Sequence, residues 1–350
     1  MMSHFRSPDQ VMMDEPIRLL MIGAGKMGRA HTAAFKTIHD VEIVGIASGG
    51  GERARQLATE YGIPRWGTHW PDLADATRPH ACVIAVPSPV NETITRDVIE
   101  YGLHFLAEKP VALHSKTIRV LAHQAKEKRL IGMAAVNRRF YPTVTAALDL
   151  VRFYGPVVGV TVMGPDPVRP YHARQHHAPL IYENWTRVNT IHLIDLLRLI
   201  GGEVETLSGA IHLHEGMGER SIAASMQFSS GTLGSFLSYS SHAGKWELRL
   251  HGDGVEAHLI PLEQGTMKIG NAAPFALPKS EATDGLKPGL QQQALAFVET
   301  LRYFGAVRLP ASDLFDHART MELVEQMLAL PRVGHATINE LRTTTCIPAI

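Results

Sequence analysis

Ile17-Arg18-Leu19-Leu20-Met21-Ile22-Gly23-Ala24-Gly25-Lys26-Met27-Gly28 is the stretch that decides the fold. Ile17 to Ile22 is a short apolar run of the length of a buried strand. Three glycines follow at once, and Ala30, Ala33, Ala34 and Phe35 then continue at helical spacing. Each glycine has a physical reason. Gly23 permits a tight turn out of the strand, Gly25 leaves the backbone open to a pyrophosphate, and Gly28 lets the helix pack closely on the sheet. Lys26 and Met27 fill the turn between them. The helix N-terminus then offers free N–H groups and a favourable dipole to an anion. A glycine triplet alone is weak evidence, but its place between a strand and a helix is the context that confirms a dinucleotide site.

Outward from this turn, strands and helices alternate. Strands are expected at 41–47, 81–86, 104–107 and 130–136, and helices at 52–61, 91–101 and 116–128. Such alternation implies a parallel sheet covered by helices on both faces. At the end of the second strand an acidic residue would bind a ribose 2′-hydroxyl. The chain has Ser48, then Gly49 to Gly51, Glu52 and Arg53. Ser48 can donate a hydrogen bond, and Arg53 or Arg55 can pair with a 2′-phosphate. This favours NADP over NAD; the alternative leaves both arginines in solvent and gives the ribose to Glu52.

The 350 residues exceed one ordinary core, so two domains are expected. Residues 1–16 read as a flexible tail, 17–137 as the dinucleotide-binding domain and 138–350 as a substrate-binding and oligomerisation domain. Lys+Arg and Asp+Glu both number 34, which gives no reason to expect nucleic acid or an anionic membrane as partner. No apolar run is long enough to span a bilayer. The N-terminus lacks the apolar core of a signal peptide, and only Cys82 and Cys346 are present. A reducing cytoplasm is the expected location. The 19 histidines show no compact metal-ligand spacing.

Ala107-Glu108-Lys109-Pro110 follows the fourth strand. Together with the glycine motif, Asn137-Arg138-Arg139-Phe140 and His192-Leu193-Ile194-Asp195, it resembles the glucose–fructose oxidoreductase / inositol dehydrogenase (Gfo/Idh/MocA) family. The resemblance implies hydride transfer between a nicotinamide and a carbinol or carbonyl carbon, often in a sugar or polyol. It also implies Lys109 and His192 as the catalytic pair. Lys109 leaves the carboxyl edge of the sheet, where ligands of such sheets bind, and Pro110 restrains its backbone. Burial and neighbouring positive charge would tune such a lysine for acid–base work. Val86 and Pro87 fall where the family contacts its cofactor, and Asn91 stands in place of a histidine. Glu108 is counted with them.

The second half changes character. After a strand at 157–163, residues 164–185 read as a long loop rich in Pro and His, containing Tyr171, His172, His176, His177 and Trp185. These suit sugar-like ligands, or are incidental loop residues. A helix from Val188 to Ile200 carries His192, able to relay a proton between substrate oxygen and Lys109. Many family members have an aspartate four residues before this histidine; here that position is Val188. Asn189 is the nearest polar substitute, and Arg139 or Tyr141 with Trp185 would orient substrate. Beyond Gly202, period-two alternation marks an α+β domain with a large, mostly antiparallel open sheet. Its mixed outer face is expected to form a homodimer or homotetramer. Helices at 290–304 and 312–330, the latter capped by Ser312, close the chain and return toward the first domain. The expected function is an NADP- or NAD-dependent dehydrogenase of a sugar, polyol or related cyclic compound, with no metal. The alternatives are a non-catalytic binding regulator on the same scaffold, or an enzyme acting on an imine or an aromatic-derived diol.

Overall fold

The computed structural model describes residues 15–165, 178–213, 220–239, 244–282, 286–303 and 305–333. The first sheet is built on β1 (Ile17–Ile22), whose side chains are buried on both faces save Arg18. Around it lie β2 (Val41–Ala47), β3 (Trp66–Gly67), β4 (Ala81–Ile84), β5 (His104–Glu108) and β6 (Gly132–Ala135). Their order is β3-β2-β1-β4-β5-β6, all parallel. The order reverses between β1 and β4, so a crevice opens there at the strands' carboxyl ends, where ligands of such sheets bind. The connecting helices are α1 (Lys26–Lys36), α2 (Gly51–Tyr61), α3 (Trp70–Thr77), α4 (Ser88–Tyr101) and α5 (Ser115–Glu127). Helix α3 is absent from the sequence reading. The third expected strand stops at Ile84 rather than Val86, because Pro87 caps α4 and Pro89 sits in its first turn.

A 3₁₀ turn, Asn137–Phe140, and α6 (Pro142–Tyr154) lead into the second sheet. Its strands are β7 (Gly159–Pro165), β8 (Val204–Leu213), β9 (Arg220–Phe228), β10 (Leu233–Tyr239), β11 (Glu247–Gly252), β12 (Val255–Leu259), β13 (Gly265–Ile269) and β14 (Phe275–Ala276). With β16 (Arg332–Val333) they make nine strands in the order β14-β13-β12-β11-β7-β10-β9-β8-β16. The β7–β10 and β8–β16 pairs are parallel and the others antiparallel. The helix Ile191–Gly201 lies against one face, and every one of its residues is buried. On the other face Ala223, Ser225 and Gln227 of β9 are exposed.

The chain then returns to the first domain. The helix Leu290–Arg302 packs on α1, with Phe297 edge-on to Phe35 at 6.4 Å. Ser312 and Asp313 form β15, which adds antiparallel to β6 at the sheet edge. The cap of the last long helix, Leu314–Leu328, is therefore Asp313 rather than Ser312. Asp313 Oδ1 accepts from the Asp316 amide at 2.7 Å, while the Ser312 backbone pairs with Ala134 in the ladder. This helix packs on α5, where Ser115 Oγ donates to Glu325 at 2.5 Å. Among the described residues no helix is long and apolar enough to cross a membrane, and no cluster of metal-ligating side chains occurs.

Candidate active site

The glycine turn has the geometry its sequence implies. Gly23 has φ +112°, and a Cβ there would lie 2.3 Å from the Ala85 carbonyl oxygen. A Cβ on Gly28 would lie 1.9 Å from the carbonyl oxygen of Gly23. Both positions therefore exclude a side chain. Gly25 caps α1, and a Cβ there would meet nothing within 4 Å. The turn is thus packed closed behind and open in front, at a helix N-terminus whose first turn holds no acid. A dinucleotide pyrophosphate fits that cradle. Lys26 is exposed beside it, and Met27 Sδ receives Lys287 Nζ at 3.2 Å. Lys287, from the loop before Leu290, was not read from the sequence. Burial and the nearby Lys26 hold its ammonium below the ordinary lysine range.

At the end of β2, Ser48 is half-buried and its amide donates to the Gly67 carbonyl. Glu52 accepts two hydrogen bonds from Arg55, at 2.8 and 2.9 Å, and one from Gln56. Arg55 and then Gln56 hold the Glu52 carboxyl below its usual range. Arg53 is exposed and forms no ion pair among the described residues.

Val86 is half-buried and Pro87 exposed at the carboxyl end of β4. The buried Asn91 amide donates to the carbonyls of Glu108 and Pro110. Its nitrogen therefore clamps the backbone on both sides of Lys109, leaving only Oδ1, buried and unpartnered, for a ligand donor. The Glu108 carboxylate also departs from the expected cofactor contact. It turns inward to His31 of α1, 2.8 Å away and 1% exposed. Burial opposes its charge, but His31 and Lys109 outweigh this and hold the carboxyl low. His31 shares the buried face of α1 with Gly28, Thr32, Ala34 and Phe35, and nothing in that spacing marks it out in the sequence.

Lys109 stands at the end of β5, before a cis bond to Pro110. Its Nζ donates to the Val188 carbonyl at 2.6 Å. Val188 belongs to a π-helical turn, Thr186–Thr190, where the sequence suggests plain α-helix. There the Ile191 amide reaches back to the Thr186 carbonyl, and such wide turns disturb the regular ladder and leave carbonyls to outside donors. The position that lacks a carboxylate thus holds the lysine through its backbone. Asn189 follows, half-buried.

His192 lies one residue into the following α-helix, 4% exposed. Its Nε2 is 3.3 Å from Arg138 Nη1, so Nε2 is the acceptor and Nδ1 carries the proton. Burial, then Arg138 and Lys109, push the imidazolium well below its ordinary range, and His192 is neutral. The Arg138 guanidinium is 5.1 Å from the Trp246 ring centroid and 5.7 Å from that of Tyr141. Burial raises the Tyr141 hydroxyl above its usual value.

Two expected substrate contacts lie elsewhere. Arg139 is 1% exposed and forms a two-point pair with Asp195, at 2.6 and 2.7 Å, and a bridge to Asp316 at 2.8 Å. Its neighbour Arg138 is the arginine at His192. Trp185 is packed with Ile181 and Tyr182, its ring stacked on Tyr182 at 6.3 Å, so it fills a small core. Tyr171, His172, His176 and His177 fall outside the described residues. Trp246 and Lys287 were missed because each comes from a separate element far along the chain.

Residues 17–136 match the oxidoreductase family with an NAD-binding Rossmann fold, Gfo/Idh/MocA. A 4-carboxy-2-hydroxymuconate-6-semialdehyde dehydrogenase of Sphingobium is 25% identical over 67% of this chain and 79% of its own. An inositol 2-dehydrogenase of Rhizobium meliloti is 26% identical over 61% and 66%. Among solved structures, a dehydrogenase from Chromobacterium violaceum superposes with a TM-score of 0.79 at 17% identity, covering 90% of this chain and 95% of the other. A levoglucosan dehydrogenase complexed with NADH gives 0.75 at 18% identity, over 90% and 96%. At those identities the structures establish the shared two-domain fold.

Proposed function

We propose that the chain, whose residues 17–136 match the Gfo/Idh/MocA oxidoreductase family, interconverts a hydroxyl and a carbonyl on a sugar, polyol or related cyclic compound, with Lys109 as acid–base. The observation that carries this reading is the Lys109 hydrogen bond to Val188, which joins the carboxyl edge of the first sheet to the π-helical turn leading into the helix that bears His192. A bound nicotinamide supplies or takes the hydride. Lys109 holds the reacting oxygen and moves its proton. As an ammonium it donates to a forming alkoxide; as an amine it accepts in the reverse direction. The Val188 carbonyl and the Asn91 clamp fix where the ammonium sits. His192 assists as a neutral acceptor, because its surroundings keep it unprotonated.

Gly23 to Gly28 would hold the cofactor, with Lys26 and Lys287 near enough to the turn to offset its phosphate charge. We favour NADP. Arg55 already occupies Glu52, Gly49 has open space about it, and Arg53 is left to meet a 2′-phosphate.

The test is a panel of sugars, polyols and cyclic diols assayed with NAD(H) and NADP(H) side by side. Turnover of panel members with a KM for NADP(H) at least about tenfold lower than for NAD(H) is expected. Equal use of both at low concentration removes the NADP preference. Dinucleotide binding without turnover of any member removes the enzyme reading.

A further inference from the structure

Arg138, Arg139 and Arg198 are treated unequally. Arg139 meets Asp195 and Asp316, and Arg198 meets Glu203 and Asp316. Arg138, half-buried, meets no carboxylate among the described residues. Its partners are neutral: Asn137 Oδ1 at 3.1 Å and His192 Nε2 at 3.3 Å. The nearby acids are engaged, Glu108 by His31 and Asp195 by Arg139, while Glu263 faces the Tyr141 hydroxyl. A permanently charged group that is partly desolvated without an anion is costly, and an anion arriving from outside relieves the cost.

The dinucleotide does not account for it. A pyrophosphate at the glycine turn would be met by the α1 N-terminus, with Lys26 and Lys287 beside it. Arg138 stands instead at His192, where the reacting part of the substrate must lie. Its guanidinium is steadied by the rings of Trp246 and Tyr141 and presents a planar fork, the shape that matches a carboxylate in two-point contact.

We propose that the substrate carries a carboxylate, bound by Arg138 beside the carbon that reacts at Lys109. This rests on the dehydrogenase reading and narrows its substrate class. The carboxylate displaces the Arg138 bond to His192, freeing Nε2 to accept from the substrate hydroxyl. Binding of the correct substrate thereby readies the histidine, and a neutral sugar leaves Arg138 competing for it.

The probes are acid–amide pairs of one skeleton: D-glucuronate and D-glucuronamide, D-gluconate and D-gluconamide, tartrate and tartramide. Glucose 6-phosphate is added as a phosphate. Each is titrated calorimetrically into the full chain loaded with its preferred oxidised dinucleotide. At least one acid should bind about tenfold or more tightly than its amide. Arg138→Met should reduce that ratio to within about twofold, and Arg138→Lys should keep part of it. In the parent protein the ratio should also shrink with rising ionic strength, a readout that needs no variant. The proposal fails if no acid outbinds its amide, if the phosphate outbinds every acid, or if the ratio survives Arg138→Met. Turnover of neutral polyols with every pair alike keeps the dehydrogenase reading and removes this one. Tight, Arg138-dependent acid binding without turnover of any panel member does the reverse.

Discussion

Arg138 and Arg139 are adjacent, and their surroundings give them opposite roles. Arg139 is a structural cation: its three close carboxylate contacts pin the helix Ile191–Gly201 to the 3₁₀ turn and to the last long helix. Removing it strands Asp195, 1% exposed, without its cation. Arg139→Met should therefore lose about 3–5 kcal/mol of unfolding free energy, the usual cost of breaking a buried pair from one side. Urea unfolding followed by circular dichroism measures this, and a loss below about 1 kcal/mol would contradict it. The sequence shows an arginine pair beside the site but not which one faces inward, because a short 3₁₀ turn has no periodicity to read. The places of Lys109 and His192 were legible for the opposite reason, whereas the catalytic roles proposed for them come from the family resemblance. Each residue sits on an element whose pattern is strong, at a point where strand or helix position fixes direction. The substitute for the missing acid was not legible: a backbone carbonyl has no letter of its own, and the π turn at 186–190 reads as ordinary helix.

Among the elements, the β1–α1 turn is the most tightly specified. The Cβ of a Gly28→Ala variant would overlap the Gly23 carbonyl, and backbone cannot move aside as a flexible side chain can. That variant should shift α1, weaken dinucleotide binding by at least about tenfold and cost roughly 1–3 kcal/mol of stability. Titration by nicotinamide fluorescence together with thermal melting checks both effects; a variant that binds and melts like the parent would contradict the packing argument. The alternating pattern of the first domain was readable because its strands are continuous apolar runs separated by amphipathic helices. Element ends were less so. Ser312 looked like a cap and proved to be a strand residue, because an edge ladder with β6 is a long-range choice that local spacing does not encode. Lys287 reaches the glycine turn only through the docking of the chain's last third on α1.

Across the whole molecule, the two domains are joined by that return of the chain and by a buried polar seam at Lys109, His192 and His317. His317 is fully buried, and burial pushes it down to about 4, although Asp195 and Asp316 pull the other way. His104 is likewise pushed down to about 4, by burial and then by His80. Both are neutral in the fold and take up protons more readily when unfolded. Their contribution is complete above the ordinary value of 6.5 and is lost as pH falls from there toward 4. At pH 5 the loss is about 2 kcal/mol for each, so the melting temperature should drop between pH 7 and 5. A melting temperature that holds or rises over that interval would contradict the burial of these rings as neutral groups. The same seam holds Lys109, at the end of β5, tied to the Val188 carbonyl and proposed as the group that moves the proton. The most direct test is Lys109→Ala, measuring kcat and the dinucleotide dissociation constant on one preparation. The expected result is a kcat about 10²–10⁴-fold lower with the dissociation constant within about threefold of the parent. Turnover within about tenfold of the parent, or a loss matched by an equal loss of dinucleotide binding, would contradict it.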